Sequence, residues 1–396
     1  MKDTLMSRRT GRILVTLAAV LAILWSSLNT AAADTIVTLT FTGDCTIGSE
    51  EKKKDREDSF DAYAAREGYD YFFRNFYDLF SADDCTVINL EGVLSDHKAE
   101  ERVKKTYRFR GKEEFVQVLI SGSVELAGIA NNHISDYSAQ GMKRTIETLE
   151  KAGIGWARAA DPYVLEKDGI RIWFFSVDYS LHNSIGTSLK KRVTELKESG
   201  DANAVVIMYH NGNEYDARHE VRQERVGNEY IDAGADLVIM HHPHVVQGIR
   251  IRNNRTIMYS LGNFVFGGNT EVRSDMYRGI REVTSLYAIV PQVKLHFSDS
   301  GAYLGQQVVI YPAYTSAIAP QNNYQPFRLT EEQAEPVLDA IRYDTPETVL
   351  PALTKDDTGF VRMIMPYLSA GTNTEKNTDN DEAPEEPPAR PDRNNR

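Results

Sequence analysis

Short apolar runs alternate with longer amphipathic stretches along most of the chain. The runs are rich in β-branched residues and predict strands over Ile36–Phe41, Thr86–Leu90, Leu126–Ala130, Ile172–Val177, Ala204–Tyr209, Leu237–Met240 and Thr256–Tyr259. The stretches between them predict helices over Tyr69–Phe80, Gln140–Ala152, Ser188–Ser199 and Arg218–Ala233. This order is typical of βαβ units, so we expect an α/β fold with a largely parallel sheet in its first half. Later runs at Leu286–His296 and Gln306–Tyr311 are candidates for a second sheet.

The N-terminal residues have the pattern of a targeting segment. Basic residues between positions 2 and 12 precede an apolar run, Ile13–Leu28, and three alanines follow at 31–33. This order predicts a signal peptide or an N-terminal membrane anchor over residues 1–33. Under either alternative the rest of the protein lies outside the cytoplasm, secreted or membrane-anchored, because basic flanks stay on the cytoplasmic side.

The remaining chain divides by composition. Residues 34–330 carry the alternating pattern and are expected to form the main domain, and residues 331–371 are expected to be a C-terminal helical extension. Residues 372–396 are rich in Asn, Asp, Glu and Pro and nearly lack large apolar side chains. Such a composition cannot offset the entropy of ordering, which predicts a disordered acidic tail.

Charge and cysteine content exclude some classes of protein. The net charge of −12, with no dense Lys/Arg stripe in the folded part, argues against binding of nucleic acid. The two cysteines, Cys45 and Cys85, lie at opposite ends of their predicted strands. Because a disulfide needs Cα atoms within about 7 Å, we expect two free thiols.

Polar residues with metal-binding side chains follow the predicted strands directly. They are Asp44, Glu91, Asn131, Asn132, His133, His210, His241, His242, His244 and Asn263. Ligands of open α/β sheets bind at the carboxyl ends of the strands, so we expect these residues to converge on one cleft. The exception is Asn263, which together with Gly262 is better explained as part of a tight turn.

These residue types form a mixed oxygen and nitrogen donor set. Such a set suits a divalent metal, Mn²⁺, Fe²⁺ or Zn²⁺, and the lack of cysteine ligands argues against a closed structural zinc site. One ion would be enough for binding, whereas two could support two-metal hydrolysis. Taken alone, His210 or His133 is explained equally well as a buried structural histidine. The pair His242 and His244 at one strand end favours metal ligation.

An ordered set of motifs resembles one protein family. The motifs are Thr42-Gly43-Asp44, Asn89-Leu90-Glu91, Ala130-Asn131-Asn132-His133-Ile134-Ser135-Asp136-Tyr137, His210-Asn211-Gly212-Asn213-Glu214-Tyr215, His242-Pro243-His244 and Tyr259-Ser260-Leu261-Gly262-Asn263-Phe264. Together they resemble the CapA family of poly-γ-glutamate capsule synthesis proteins, over Ile36 to Gly268.

The resemblance implies a fold and a role. The implied fold is a four-layer α-β-β-α sandwich of the metallophosphoesterase type with mixed sheets. The implied role is the synthesis or export of capsular poly-γ-glutamate beside a membrane-embedded polymer synthase complex, with an anionic polymer or a phosphorylated molecule as substrate.

The resemblance also implies roles for individual residues. The implied metal ligands are Asp44, Glu91, Asn132, His210, His242 and His244, with Glu91 as a candidate bridge between two ions. His133 resembles the acid that protonates a leaving oxygen, Asp136 the residue that orients it, and Arg110 a contact for an anionic substrate.

One departure from the pattern leaves the activity open. Dinuclear phosphoesterases begin with an Asp-x-His pair, and Thr46 stands where that histidine would be. The alternatives are a metal-binding accessory protein of capsule synthesis, a secreted or anchored metal-dependent phosphoesterase acting on envelope or nutrient molecules, and a non-catalytic interaction module.

Overall fold

The computed structural model describes residues 34–96, 104–272, 274–277 and 281–371. The predicted signal or anchor at 1–33 and the predicted tail at 372–396 lie outside these residues. Among the described helices, none is long and apolar enough to cross a bilayer.

The strands alternate with helices over most of the chain. The strands are β1 (Thr35–Thr46), β2 (Ser49–Glu50), β3 (Cys85–Leu90), β4 (Val93–Leu94), β5 (Phe109–Gly111), β6 (Leu126–Gly128), β7 (Gly155–Ala157), β8 (Tyr163–Lys167), β9 (Ile170–Asp178), β10 (Ala204–His210), β11 (Leu237–His241), β12 (Ile249–Arg252), β13 (Arg255–Met258), β14 (Asn263–Phe266), β15 (Ser274–Tyr277), β16 (Arg281–Thr284), β17 (Tyr287–Phe297), β18 (Tyr303–Tyr314), β19 (Phe327–Arg328), β20 (Leu353–Lys355), β21 (Val361–Ile364) and β22 (Leu368–Ser369). The α-helices are α1 (Phe60–Glu67), α2 (Tyr77–Phe80), α3 (Val116–Ser121), α4 (Ser138–Lys151), α5 (Tyr179–Ser199), α6 (Val221–Asp232) and α7 (Glu331–Asp344).

Two large mixed sheets organise the described chain. One has eleven strands, with the path β20-β21-β18-β17-β1-β3-β6-β7 and with β14, β19 and β22 at its margins; the other has six, in the order β12-β13-β11-β10-β9-β8. Strands β1, β3, β6 and β7 are parallel neighbours in the first sheet, and β9, β10, β11 and β13 in the second. The predicted α/β class is therefore confirmed, with every predicted strand found.

The assignment of strands to sheets was wrong in one respect. The late strands do not build a second sheet: β17 pairs antiparallel with β1 across six residue pairs, and β18 pairs antiparallel with β17. The second sheet instead comes from the middle of the chain, β8 to β13. Strand β1 has one edge taken by β3, and the long apolar strand β17 occupies the other edge.

The helix predictions hold with shifted ends. Helix α5 begins nine residues before its predicted start at Ser188, because the Asp178 carboxylate accepts a bond from Leu181 N and caps it. The segment Tyr69–Phe80 is broken into two 3₁₀ turns and the short helix α2. Residues 331–371 are helical only in α7; strands β20, β21 and β22 follow and join the eleven-stranded sheet. The domain boundary at residue 330 stays a prediction.

Buried apolar residues of the described chain fall into three clusters. The first joins the facing sides of the two sheets, for example Leu39 and Val293 of one with Phe174 and Val206 of the other. The second lies between the eleven-stranded sheet and the helices around α1 to α4, and the third between the six-stranded sheet and helices α5 and α6. Removal of this apolar surface from water is the main force that holds the sheets and helices together.

The two cysteines are buried and unbridged, as predicted. In the register of β1 with β3, Cys45 lies opposite Leu90 and Cys85 opposite Leu39. They therefore lie at opposite ends of the pair, too far apart to bond.

Candidate metal centre

Strand register brings three polar side chains of the eleven-stranded sheet side by side. Asp44 of β1 lies opposite Asn89 of β3 on one side and Asn263 of β14 on the other. The β1 backbone approaches the preceding turn closely here: Asp44 N donates to Gly262 O at 2.9 Å. A Cβ on Gly43 would lie 2.1 Å from that Gly262 oxygen, so this approach requires glycine.

The second sheet supplies the imidazoles. His210 at the end of β10 is paired in register with His241 at the end of β11. The chain then turns through His242 and His244, whose φ angles of 103° and 59° lie in the left-handed region. Non-glycine residues adopt this conformation at a cost, and it is concentrated at functional sites.

The Asp44 carboxylate is the anchor between the two sheets. Its Oδ1 accepts a hydrogen bond from Asn89 Nδ2 at 2.8 Å, and its Oδ2 accepts one from His242 N at 3.2 Å. His241 Nδ1 lies 3.4 Å from Oδ1, and His244 Nδ1 lies 3.2 Å from Oδ2. Burial raises the pKa of Asp44, but the bonds with His241 and His244 outweigh burial and hold that pKa well below its usual range. Asp44 is therefore an anion.

Glu91 is the chemically unusual residue of the cluster. It is fully buried, and within the described residues neither carboxylate oxygen has a hydrogen-bond partner. Its Oε1 instead faces the Nε2 atoms of His133 at 3.7 Å, His210 at 3.8 Å and His244 at 3.7 Å. Ligands of one ion at about 2.1 Å lie roughly 3 to 4 Å from each other, so this spacing matches that of donors to a common metal ion.

Several groups of side chains in the described chain have donor atoms close enough to share an ion. One is Glu91, His210 and His242, and another is Asp44, Glu91 and His244; the donors in each lie within 4.8 Å of one another. Glu91 belongs to both groups, which is the arrangement that a bridging carboxylate would have. The donor set is compatible with a divalent cation.

Burial and neighbouring charges shift the pKa values of the cluster in opposite directions. Burial raises the pKa of Glu91 well above its usual range, and the positive charge of His244 offsets only part of this effect. Burial would lower the pKa of His244, but Glu91 and Asp44 raise it well above the ordinary value. Burial and the neighbouring His242 lower the pKa of His210, and burial and His244 lower the pKa of His242 to about 4. A metal ion entering this cluster would displace protons from it.

Asn132 and His133 reach the same place from the loop after β6. The Asn132 Oδ1 lies 2.9 Å from His210 Nε2. His133 Nδ1 lies 2.7 Å from Asp136 Oδ2, which leaves its Nε2 to face Glu91. Burial lowers the pKa of His133 and the Asp136 carboxylate opposes that effect in part. The structure thus brings together all six predicted ligands and the predicted acid with its orienting carboxylate, whose roles stay predictions.

Arg110 is engaged elsewhere. Its guanidinium pairs with Glu51 Oε2 at 3.0 Å and donates to Ser95 O at 2.9 Å, with 8% of its side chain exposed. The predicted contact with an anionic substrate stays a prediction, and nothing in these contacts directs Arg110 toward the cluster.

A cavity of about 210 Å³ opens next to the cluster. His133 and His244 line it, and the remaining lining residues are Lys53, Tyr107, Phe109, Glu214, Tyr215, Phe266, Asn269, Thr270 and Glu271. The cavity gives a small polar group access to the imidazoles.

Some residues of the centre were not among the predicted metal ligands. Asn89 bonds to Asp44, His241 flanks the same carboxylate, and Glu214 lies beside His242 and His244. Lys105 contacts Asp136 Oδ1, Asn132 O at 2.7 Å and His133 Nδ1 at 3.1 Å. His241 directly follows a predicted strand and was among the candidate side chains, whereas Asn89 lies one residue before the end of another predicted strand. Lys105 lies in a loop with no comparable signal.

The chain matches a known family over most of its core. The model of the family described as bacterial capsule synthesis protein PGA_cap matches residues 38–268.

Named relatives agree with that match. The chain is 30% identical over 254 residues to the capsule biosynthesis protein CapA of Bacillus anthracis, covering 58% of this chain and 60% of that protein. It is 28% identical over 255 residues to the PGA biosynthesis protein CapA of Bacillus subtilis, covering 59% and 64%. A protein of Mycobacterium tuberculosis described as a probable polyglutamine synthesis accessory protein is 22% identical over 235 residues, covering 50% and 60%. The chain thus spans less than two thirds of each of these relatives.

A solved structure gives only a distant likeness. A hypothetical protein from Thermus thermophilus aligns over 70% of this chain and 99% of its own, at 13% identity with a TM-score of 0.41. This likeness is too distant to support a conclusion on fold or function.

Proposed function

Since the chain belongs to the bacterial capsule synthesis protein family, PGA_cap, we propose that it supports synthesis or export of capsular poly-γ-glutamate through a divalent-metal site of metallophosphoesterase character. The observation that carries the metal site is Glu91, a fully buried carboxylate without a hydrogen-bond partner in the described chain, facing three imidazole nitrogens at 3.7 to 3.8 Å. Burial raises the pKa of this carboxyl and favours its neutral form, and a bound cation would stabilise the anion that the surrounding chain does not.

We propose that the fold is a four-layer α-β-β-α sandwich of the metallophosphoesterase type. The three hydrophobic clusters support this interpretation, since one lies between two sheets and the other two lie between a sheet and helices. In such a sandwich the carboxyl ends of parallel strands from both sheets meet at one edge. Asp44 lies near the end of β1, Glu91 directly follows β3 and His210 ends β10.

The chemistry proposed for the centre belongs to the side chains that surround it. A bound divalent ion would act as a Lewis acid on an oxygen of an anionic group. Asp44, Glu91, Asn132, His210, His242 and His244 would hold it. Asp136 fixes the orientation of the His133 ring through Nδ1, so that Nε2 faces the cluster. The lowered pKa of His133 favours the unprotonated form of that nitrogen, which could take the proton that an attacking water loses and pass it to a leaving oxygen.

We infer that the protein works outside the cytoplasm, secreted or membrane-anchored, beside a membrane-embedded polymer synthase complex. The apolar run that follows the basic N-terminal residues supports the location. The relative described as a probable polyglutamine synthesis accessory protein supports a role beside a synthase, and the anionic polymer would be the molecule that meets the metal.

A deletion strain of a polymer-forming host tests the proposal. We expect loss of surface polyglutamate on deletion, recovery with the wild-type gene and no recovery with Glu91→Gln, which keeps the side chain's shape and removes its charge. Glu271→Gln, at the cavity rim, is the matched control and should restore the polymer. Deletion without any change in polymer or in synthase assembly would refute the role in capsule synthesis.

A second candidate function is a metal-dependent phosphoesterase acting on envelope or nutrient molecules. The cavity beside His133 and His244 favours it, because a phosphoryl group could reach both imidazoles there. Purified protein assayed on a broad phosphoester panel with Mn²⁺, Fe²⁺ or Zn²⁺ tests this function. Hydrolysis that Glu91→Gln abolishes would support it, and an inert wild-type protein would exclude it.

A further inference from the structure

Position 46 supplies no metal ligand. The resemblance places a histidine there, but Thr46 is buried and its Oγ1 donates to the Glu91 carbonyl at 2.9 Å. The hydroxyl proton is therefore donated to the backbone directly after β3. The centre is one donor short of the pattern that the resemblance implies.

Glu214 brings a carboxylate to the solvent side of the same cluster. Its donor oxygen and those of His242 and His244 all lie within 4.8 Å of one another, so the three could share an ion. His242 and His244 belong one each to the two groups that contain Glu91. Glu214 thus lies beside one imidazole of each group, and it also lines the cavity next to the cluster.

The loop that carries Glu214 is held in place by its own contacts. Tyr215 N donates to Pro243 O at 2.8 Å, which ties the loop to the turn between the two imidazoles. Gln247 Nε2 donates to Asp216 O at 2.9 Å. Gly212 at φ 135° and Tyr215 at φ 57° make the sharp bends. The bond from Tyr215 N holds the backbone directly after the carboxylate against the turn between His242 and His244, as a metal ligand requires.

We propose that Glu214 is a metal ligand of this centre and supplies, from the loop after β10, the donor that Thr46 does not. The inference rests on the metal centre of the proposed function and adds a residue to it. An additional carboxylate favours a hard, oxygen-preferring ion such as Mn²⁺ over an imidazole-preferring one.

Cobalt binding to the full chain tests the assignment, because Co²⁺ reports its ligands through its visible absorption. Wild type, Glu214→Gln and the control Glu271→Gln are stripped of metal and titrated with Co²⁺ by calorimetry and absorption. Both glutamates are exposed at the rim of one cavity, so neither variant should lose the fold. We expect Glu214→Gln to weaken the affinity of at least one bound ion by tenfold or more and to change the Co²⁺ spectrum, with Glu271→Gln unchanged in both.

Three results would overturn the assignment, each in a distinguishable way. A Glu214→Gln protein with wild-type affinity and spectrum would remove Glu214 from the ligand set and leave the centre intact. Equal weakening by both variants, with unchanged spectra, would mean a general effect of negative charge at the rim. A wild-type protein that binds no Co²⁺ would refute the metal centre itself.

Discussion

Two buried carboxylates in this protein have opposite surroundings. Asp236, just before β11, accepts hydrogen bonds from Lys197 Nζ at 2.8 Å, Val205 N at 3.0 Å and Arg255 Nε at 3.0 Å. Glu91, at least as deeply buried, has none from any residue that the structure describes. Asp236 lies at the amino end of its strand and Glu91 at the carboxyl end of another.

The difference separates a structural role from a ligand-binding one. Where a buried carboxylate serves the fold, the chain provides the donors that compensate its desolvation. At Glu91 the chain provides imidazole nitrogens at metal-sharing distances and leaves the oxygens open. The fold therefore leaves a buried carboxyl group without hydrogen-bond donors at the place where we infer that a cation binds.

Replacement of Glu91 gives the largest expected effect. Glu91→Gln removes a carboxylate common to two of the ligand groups, so we expect a loss of about 1000-fold in affinity for Mn²⁺ or Zn²⁺, or roughly 4 kcal/mol. The metal-free variant should be no less stable than metal-free wild type, because burial raises the pKa of Glu91 and favours its neutral form, whose shape glutamine keeps. Calorimetric titration and urea denaturation measure the two quantities. A Glu91→Gln protein that is less stable than wild type without metal and still binds metal would show that Glu91 has a structural role and is not a ligand.

Replacement of Asp236 should do the opposite. Asp236→Ala leaves Lys197 and Arg255 without their shared carboxylate, and we expect a loss of about 3 kcal/mol in unfolding free energy. Metal affinity should not change, because His241 lies about 16 Å away at the other end of β11. Urea denaturation and metal titration test this pair of outcomes; a stable Asp236→Ala protein would show that hydrogen bonding does not distinguish the two carboxylates.

A third buried carboxylate, Asp344, is predicted to make stability depend on pH. It accepts bonds from His219 N at 2.9 Å and His219 Nδ1 at 2.8 Å. Burial would lower the pKa of His219, but its bonds with Asp344 and Glu224 raise it to about 9. Because the folded pKa exceeds the unfolded value of about 6.5, the stabilisation is complete below pH 6.5 and is lost as pH rises through about 9.

We expect this contribution to be about 2 kcal/mol, allowing for screening of a partly exposed ring. The measurement is urea denaturation of wild type and His219→Gln at pH 6 and pH 10. The stability difference between the two proteins should be large at pH 6 and small at pH 10. A difference that does not change with pH would contradict the raised pKa.

The smallest expected effect concerns a residue that orients a ligand. Asn89 donates to Asp44 Oδ1 at 2.8 Å, and removal of such partners weakens metal binding by about tenfold or more. We expect Asn89→Ala to lower metal affinity by about tenfold, well short of the effect of Glu91→Gln. Calorimetric titration measures both; an equal loss would make Asn89 as important as a direct ligand.

The candidate site was predictable because its residues obey a local rule. Asp44, Glu91, His210 and His244 each end an apolar run or follow it closely, and parallel strands bring such positions to one edge. The hydrophobic pattern therefore indicates which polar side chains converge on one cleft, whereas their roles as ligands come from the resemblance to the family.

The pairing of strands and the supporting contacts were not predictable in the same way. The hydrophobic pattern of β17 identifies a strand but not its partner. Strand β17 pairs with β1 along the edge that β3 does not occupy, and this edge is defined only by the assembled sheet. Glu214 and Lys105 act through loop conformations that a single sequence does not specify. Their positions depend on bonds such as that from Tyr215 N to Pro243 O, which join segments far apart in the chain.

Anomalous scattering from crystals grown with Mn²⁺ or Zn²⁺ would locate the inferred ion itself. We predict a peak roughly 2 Å from a Glu91 carboxylate oxygen and from the nearest imidazole nitrogens, and no peak there in crystals of Glu91→Gln. Wild-type crystals without a peak at Glu91, at ion concentrations that saturate binding in solution, would contradict the assignment of Glu91 as a metal ligand.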